Sequence, residues 1–233
     1  MILSAGFGTR LQELTKEKPK ALVEVKGKPM LEYQLDRLIS AGCKEVIVNT
    51  HHYSDQIIDF CNNYKGNIRI NISDESHEIL DTGGGILNAQ KFFDGEKTIF
   101  IQNVDVYSSL NTNDFINYHQ QNNAFATLAV KERKTSRYLL FDDSMRLCGW
   151  ENVKTKEQKL VHPSKNLKRF AFSGIHAINP ELLNHTQHSG KFSVIDMYLE
   201  LAAQHKIIAY LQSEGFWIDA GKPEAIDHLN QIL

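Results

Sequence analysis

The chain has 233 residues, of which 42% are hydrophobic, and its formal net charge is -2 at pH 7. A chain of this size and composition can bury a substantial core, and we expect a single domain over residues 1–233. The near-neutral charge excludes the broad basic surface typical of proteins that bind nucleic acid or anionic membranes, so any phosphate must be bound locally.

The cysteines and the apolar segments indicate where the protein works. Cys43, Cys61 and Cys148 form no C-x-x-C pair and leave one over if two were bridged, which is typical of reduced thiols. The apolar stretches are far shorter than the roughly 20 residues that span a bilayer, and no signal-peptide pattern opens the chain. We therefore expect a cytoplasmic protein with no membrane or nucleic-acid partner.

The first half of the chain, about residues 1–110, alternates strand and helix patterns. In chain order we predict a short buried strand before Gly6, a helix over 29–41, a strand over 45–49, a helix over 54–64, and strands over 68–72 and 98–102. This order predicts an α/β fold. Asp105 follows the last of these strands, at the edge where open α/β sheets bind ligands.

The second half, about residues 111–233, is richer in strands. The patterns predict strands over 125–131, 138–141, 170–178 and 207–211, and an amphipathic helix over 194–204. The polar, lysine-rich segment 153–168 contains Pro163 and favours a mobile loop or ribbon over a core element. We expect a mixed sheet in which this half covers a substrate.

The segment Gly6-Phe-Gly-Thr-Arg10 is a candidate phosphate cradle. Residues without a Cβ let backbone N–H groups approach an anion, and Arg10 adds a planar fork of donors. Leu11 stands where a dinucleotide fingerprint needs its third glycine, and no P-loop motif occurs, which disfavours NAD enzymes and P-loop ATPases. A turn whose glycines only satisfy sterics remains the alternative.

A second basic position follows the glycine segment. Lys20, after Pro19, can reach back toward the same phosphates as a point charge, although an exposed lysine often has no specific role. Three segments then share one order and spacing: Ser4–Leu11, Lys18–Leu22 and Gly27–Met30. Together they resemble the signature of sugar-1-phosphate nucleotidyltransferases.

The resemblance extends over nearly the whole chain. Leu80–Ile86 resembles the base-reading loop of that family, Asn103–Asp105 its metal-binding strand end, Phe172–Ile175 its sugar pocket, and Trp217–Gly221 its second metal motif. The fold implied is a Rossmann-like three-layer αβα arrangement with a mixed, mainly parallel central sheet. About residues 1–110 would bind the nucleotide and about 111–233 the sugar.

Within the family, the chain most resembles N-acetylmuramate-1-phosphate uridylyltransferases, with mannose-1-phosphate guanylyltransferases second. The resemblance implies nucleotidyl transfer from a nucleoside triphosphate, UTP before GTP or dTTP, to a sugar 1-phosphate, with Mg²⁺ as cofactor. An already anionic acceptor needs little proton transfer, so positioning and charge neutralisation should dominate. The oligomeric state stays open, a homo-oligomer included.

The resemblance also assigns roles to individual residues. Arg10, Lys20 and Asp105 would be catalytic, and Asp105 and Asp219 would bind Mg²⁺. Gly84 and Gly85 would keep the wall beside the base free of side chains, while Asp81 or Thr82 could instead cap a helix. The substrate-binding residues implied are Ala5, Gly6, Gly8, Thr9, Thr82, Gly83, Asn103, Glu151, Ser173, Gly174 and Asp196.

Two departures from the family pattern stand out. Val104 replaces the usual glycine before the metal-binding aspartate, and we expect its branched side chain beside the nucleotide, where it would alter ribose contacts. The first strand also lacks a few residues that the family has ahead of Ile2, which suggests a shortened start.

Two other functions, and a zinc site, compete with this interpretation. A nucleotide-binding regulatory subunit would tend to lose its charged site residues, yet this chain keeps all four of them, Arg10, Lys20, Asp105 and Asp219. A metal-dependent glycosyltransferase would show an Asp-x-Asp after a strand, which this chain lacks. A zinc site at His51 and His52 is disfavoured because no further His or Cys stands nearby at ligand spacing.

Overall fold

The computed structural model describes residues 1–233. The helices are α1 (Met30–Ser40), α2 (Ser54–Asn63), α3 (Asp81–Asn88), α4 (Thr112–Gln121), α5 (Val194–Ala202) and α6 (Pro223–Ile232). The strands are β1 (Ile2–Leu3), β2 (Glu24–Val25), β3 (Lys28–Pro29), β4 (Glu45–Thr50), β5 (Arg69–Asp74), β6 (Ile99–Asn103), β7 (Val106–Ser108), β8 (Ala126–Lys131), β9 (Arg137–Phe141), β10 (Leu147–Asn152), β11 (Glu157–Leu160), β12 (Lys168–Ile178), β13 (Ile207–Leu211) and β14 (Trp217–Asp219). None of the helices is long and apolar enough to cross a membrane.

Ten strands form one mixed sheet. Its order is β11-β10-β9-β12-β6-β1-β4-β5, with β8 beside β12 and β13 beside β8. The strands β6, β1, β4 and β5 pair in parallel, whereas β9 to β12 pair antiparallel. The predicted α/β fold with a mixed sheet flanked by helices is confirmed, and parallel pairing is concentrated where strands and helices alternate along the chain.

Helices cover both faces of this sheet and bury its side chains. On one face Leu31 and Leu35 of α1 join Val46 and Val48 of β4 and Leu229 of α6 in one apolar cluster. These residues of α1 are the stripe that the sequence spacing predicts, and they are fully buried. A second, larger cluster on the other face contains the apolar residues of α3 and α5. The result is a three-layer arrangement.

The lysine-rich segment between β10 and β12 forms a ribbon. Residues Glu157–Leu160 pair antiparallel with β10, and every residue of β11 is exposed. The Lys159 ammonium lies 5.7 Å from the centre of the Trp150 ring and 3.7 Å from a carboxylate oxygen of Asp196. The ribbon is therefore anchored to α5 through side chains instead of forming part of the core.

Two histidines are buried in the second half of the molecule. His119 and His176 are only 3% and 1% exposed, and their Nδ1 atoms face the hydroxyls of Thr127 and Tyr198. Burial lowers the pKa of His119 to about 4 and that of His176 to about 3. Both side chains are therefore neutral in the folded protein at neutral pH.

This burial predicts a loss of stability in mild acid. Below about pH 6.5 the unfolded chain binds protons at these histidines that the folded chain does not, so the free energy of unfolding falls as the pH drops. By pH 5 the loss should be about 2 kcal/mol per histidine. Urea midpoints at pH 7, 6 and 5 measure it.

The matched variants for this prediction are His119→Gln and, at an exposed position, His77→Gln. Replacing His119 should reduce the fall between pH 7 and pH 5 by about 2 kcal/mol, whereas replacing His77 should leave it unchanged. A wild-type midpoint that is the same at pH 7 and pH 5 would contradict the prediction.

Candidate active site

A cleft of about 520 Å³ opens where the strands of the first half end. Its floor contains Leu3 of β1 and Asn103 of β6, and Asp105 and Val106 follow directly after β6. Because β1 and β6 are parallel neighbours, their carboxyl ends lie at one edge of the sheet. This edge is where the sequence predicts ligand binding.

The loop after β1 contains five of the predicted site residues, and only some of them line the cleft. Ala5, Gly6 and Arg10 line the cleft, whereas Gly8 and Thr9 do not. Gly8 has φ +64°, and a Cβ there would lie 2.9 Å from the Cβ of Lys20. A glycine is therefore required at this position, because the backbone makes a left-handed turn and the stem of Lys20 packs against it.

Lys20 and Asp105 form the most buried ion pair of the cleft. The Lys20 ammonium is 2.8 Å from the Asp105 carboxylate, and the two side chains are only 14% and 6% exposed. Burial by itself would raise the pKa of Asp105, but the adjacent Lys20 charge outweighs it and holds the pKa below its ordinary value. Asp105 is thus an anion paired with a cation at the base of the cleft.

Asp219 is brought beside Asp105 by a two-stranded sheet. β14 pairs antiparallel with β7, and the Ala220 N–H donates to the Asp105 carbonyl at 2.8 Å. Arg10 lies 3.6 Å from the Asp219 carboxylate. A Cβ on Gly221 would lie 2.4 Å from the Arg10 guanidinium, so the glycine leaves the space that Arg10 occupies.

The donor set at this point suits a hard divalent cation. Asp105 and Asp219 supply carboxylate oxygens from two different loops, and such a cation is commonly held by one or two carboxylates together with substrate phosphates and water. No group of three or more His, Cys, Asp or Glu side chains is placed to hold a metal ion. The remaining ligands would therefore have to come from the substrates.

The glycine triplet of α3 does not form a bare wall beside the base. Gly83, Gly84 and Gly85 are buried and lie outside the cleft, and the N–H groups of Gly83 and Gly84 donate to the Phe192 carbonyl. A Cβ on Gly84 would lie 2.1 Å from the Gly190 carbonyl oxygen. Gly83 and Gly84 let α3 pack closely against residues 190–192, whereas a Cβ on Gly85 would meet Glu75 and Asn49.

Thr82, in contrast, does line the cleft, together with Asp81. Its hydroxyl accepts a hydrogen bond from the Val194 N–H at 3.0 Å and so helps to cap the start of α5. Asp81 begins α3, and its carboxylate accepts from the Thr82 N–H. The predicted capping of α3 by Asp81 or Thr82 is therefore wrong, because α3 has no side-chain cap and the Thr82 hydroxyl serves α5 instead.

The sugar motif forms an irregular part of β12. The register of β12 against β8 shifts between Phe172 and His176, a bulge of the kind that often redirects side chains beside functional sites. Ser173 and Gly174 line the cleft there, and the buried Ser173 hydroxyl has no hydrogen-bond partner in the protein. Gly174 has φ +70°, and a Cβ would lie 2.8 Å from Asn103.

Glu151 and Asp196, which are predicted to contact the sugar, do not line this cleft. Glu151 is buried and forms an ion pair with Arg169, whose Nε is 2.5 Å away. Asp196 faces Lys159 of the ribbon instead. Both carboxylates are paired with cations of the second half in this structure.

Val104 does not stand beside the nucleotide as predicted. Its side chain is fully buried in the apolar cluster beneath α1, and it is absent from the cleft lining. Its carbonyl accepts a hydrogen bond from Gln34 of α1 at 3.1 Å. The branched side chain replaces glycine on the core side of the loop, where added apolar surface is favourable.

Two cations of the second half line the cleft although no motif pointed to them. They are Arg133 and Lys191. Arg133 comes two residues after β8, which runs parallel to β6 because both are antiparallel to β12. The rule that singled out Asp105, a polar residue just past a strand end, would have found Arg133 had the direction of β8 been known.

The cleft belongs to a protein with clear relatives. The sequence model described as Nucleotidyl transferase matches residues 1–233. The N-acetylmuramate alpha-1-phosphate uridylyltransferase of Caulobacter vibrioides is 32% identical over 238 residues, covering 97% of this chain and 92% of that protein. The mannose-1-phosphate guanyltransferase of Yarrowia lipolytica is 27% identical over 227 residues, covering 96% of this chain and 61% of that protein.

Solved structures share the fold. HddC from Yersinia pseudotuberculosis superposes with a TM-score of 0.80 at 23% identity, over 99% of this chain and 97% of that chain. A UDP-glucose pyrophosphorylase complexed with UDP-glucose superposes with a TM-score of 0.77 at 16% identity, over 99% and 96%. The chain belongs to the nucleotidyl transferase family, and its relatives together with its cleft identify it as a sugar-1-phosphate nucleotidyltransferase.

Proposed function

We propose that the chain transfers the uridylyl group of UTP to N-acetylmuramate 1-phosphate, releasing pyrophosphate, and that Mg²⁺ assists. The observation that carries this proposal is the extent of one match. The uridylyltransferase relative is matched over 92% of its own length, whereas this chain spans only 61% of the Yarrowia lipolytica guanyltransferase. A product of this kind would serve cell-wall metabolism.

The chemistry requires the cleft to gather anions. An oxygen of the sugar phosphate attacks the α-phosphorus of the triphosphate, the bond from that phosphorus to the bridging oxygen of the β-phosphate breaks, and pyrophosphate leaves with that electron pair. The attacking oxygen already carries charge, so no general base is required. Catalysis then depends on holding both substrates in line and on offsetting negative charge.

The two cations of the first half are suited to this task. Lys20 is held at the base of the cleft by Asp105 and is oriented toward the end of β6, where we assign it to the α-phosphate. Arg10 is more exposed, on the Asp219 side, and its planar fork suits the β- and γ-phosphates. Asp105 and Asp219 would hold Mg²⁺, which when bound supplies further positive charge to the phosphate oxygens.

A guanylyltransferase acting on mannose 1-phosphate is the second candidate. Its support is the 27% identity to the Yarrowia lipolytica protein over 96% of this chain. A regulatory subunit without turnover is the third. The joint presence of Lys20, Asp105, Arg10 and Asp219 around one cleft favours an enzyme over that third candidate.

A substrate matrix tests the proposal. Pyrophosphate release is measured in Mg²⁺ with UTP, GTP, dTTP and CTP against the 1-phosphates of N-acetylmuramate, mannose, glucose and N-acetylglucosamine. We expect the highest kcat/KM for UTP with N-acetylmuramate 1-phosphate, and no release when EDTA removes the metal.

The alternatives give different patterns. A preference for GTP with mannose 1-phosphate would replace the proposed specificity by that of the second candidate. Absence of turnover across the matrix, in protein that still binds a nucleoside triphosphate by calorimetry, would support the regulatory role.

A further inference from the structure

Arg133 is a cation of the cleft for which the reaction as described has no use. Its guanidinium lies 4.1 Å from the centre of the Trp217 ring, and one amino group donates to the Phe172 carbonyl at 2.9 Å. Its Nε is buried and has no hydrogen-bond partner in the protein. The side chain is thus held in place by stacking and one hydrogen bond while donors remain unused.

The partners that hold Arg133 are themselves fixed. The Trp217 indole N–H donates to the Ser173 carbonyl at 2.8 Å, which ties β14 to the bulge of β12. Ser173 is fully buried, and its hydroxyl also lacks a partner. Two buried polar groups without partners therefore belong to neighbouring residues on one wall of the cleft. Such groups are unfavourable unless a ligand or an ordered water molecule satisfies them.

The contact between Arg133 and Trp217 of β14 relates Arg133 to the candidate metal site. Trp217 and Asp219 are two residues apart on this strand, so their side chains share a face and are about 7 Å apart. Burial lowers the pKa of Arg133, and the negative charge of Asp219 opposes that shift. Arg133, Asp219 and Ser173 of the sugar motif line the same cleft.

An anion bound by Arg133 would lie beside both the metal-side wall of the cleft, at Asp219, and its sugar-side wall, at Ser173. The phosphate of the sugar 1-phosphate fits this position. It must approach the metal-side carboxylates, and it is also attached to the sugar. That group is a dianion that approaches a triphosphate, and Lys20 and Arg10 are already assigned to the phosphates of that triphosphate. A separate cation from the sugar half would offset its charge and orient it.

We propose that Arg133, held against Trp217, binds the phosphate of the acceptor sugar 1-phosphate and aligns it for attack, with the Ser173 hydroxyl as a second donor. This rests on the proposed nucleotidyl transfer but not on the identity of the base or the sugar. Arg133 is then a substrate-binding residue of the acceptor, distinct from the triphosphate residues Arg10 and Lys20.

The test measures binding without turnover. Each protein is saturated with Mg²⁺ and the α,β-methylene analogue of UTP or GTP, whichever it binds, and titrated with N-acetylmuramate 1-phosphate, mannose 1-phosphate and the same sugars without phosphate. The molecule has two tryptophans, and Trp150 lies outside the cleft, so a Trp150→Phe background leaves Trp217 fluorescence as the signal. Calorimetry provides an independent measurement.

Arg133→Gln should weaken binding of the sugar 1-phosphate roughly 10- to 100-fold, the loss expected for a hydrogen bond to a charged group. The affinity for the UTP or GTP analogue and for the unphosphorylated sugar should stay within twofold, and Arg133→Lys should be intermediate. Lys134→Gln removes the same charge from an exposed neighbour outside the cleft, and it should bind as the wild type does.

Three results would overturn the assignment. Weaker binding of the nucleotide analogue in Arg133→Gln would place the residue at the triphosphate. Equal weakening of phosphorylated and unphosphorylated sugars would mean that it only supports the sugar pocket, and unchanged binding would exclude a contact. If turnover occurs only with another base or sugar, the proposed specificity fails. The binding of wild type and Arg133→Gln is then compared in the same way with the sugar 1-phosphate that is turned over.

Discussion

Asp105→Asn should lower kcat/KM at least about 10²- to 10³-fold, because removal of one preorganised charged group from a phosphoryl-transfer site has an effect of this size. The substitution removes a candidate metal ligand and leaves the Lys20 ammonium, only 14% exposed, without its counter-charge. Pyrophosphate release at saturating Mg²⁺ measures the loss. Circular dichroism and the urea midpoint establish that the variant is folded.

The ion pair with Lys20 makes this prediction sharper. Since the two side chains act as a unit at 2.8 Å, Lys20→Met combined with Asp105→Asn should be no less active than the worse single variant. Asp94→Asn, at an exposed residue outside the cleft, serves as the control and should keep wild-type activity. An Asp105→Asn protein that retains more than a tenth of wild-type kcat would remove Asp105 from the catalytic set.

Gly84→Ala should destabilise the protein by about 2 to 3 kcal/mol, the cost of overpacking a well-filled site. In an exposed helix the same change would stabilise by about 1 kcal/mol, because alanine is the better helix former. Here the added methyl would lie 2.1 Å from the Gly190 carbonyl oxygen and would push α3 away from residues 190–192. Thermal and urea unfolding measure the effect.

The kinetics of this variant separate two interpretations of the glycine triplet. If the glycines serve packing, Gly84→Ala should lose stability while its KM for the triphosphate at low temperature changes little. A raised KM for the triphosphate with unchanged stability would instead indicate that the glycines keep the space beside the base free of side chains. Lys91→Ala, at an exposed residue just after α3, should change stability by less than about 0.5 kcal/mol.

Hydrophobic periodicity was sufficient to place most of the elements. The stripe of α1, the buried strand β4 and the strand β13 lie within a residue or two of their predicted bounds, since each carries one strong period. The pairing of the second half was not predictable in this way. That β8 lies between β12 and β13 depends on contacts between segments distant in sequence, which periodicity does not report.

The site shows the same division at the level of single residues. Arg10, Lys20, Asp105 and Asp219 were identified by local motifs, and the structure gathers all four around one cleft. Local motifs also pointed to Glu151 and Asp196, which lie outside this cleft, and a strand pattern does not say which cation a carboxylate will pair with.

The sequence by itself determined the fold class, the family resemblance and the charged residues of the first half, because these follow from short-range patterns and motif order. Only the tertiary structure decided that Val104 and Gly84 belong to packing and that Arg133 lines the cleft. Whether a side chain meets the core, a neighbouring backbone or the cleft depends on how distant segments pack. A residue's neighbours along the chain leave that open.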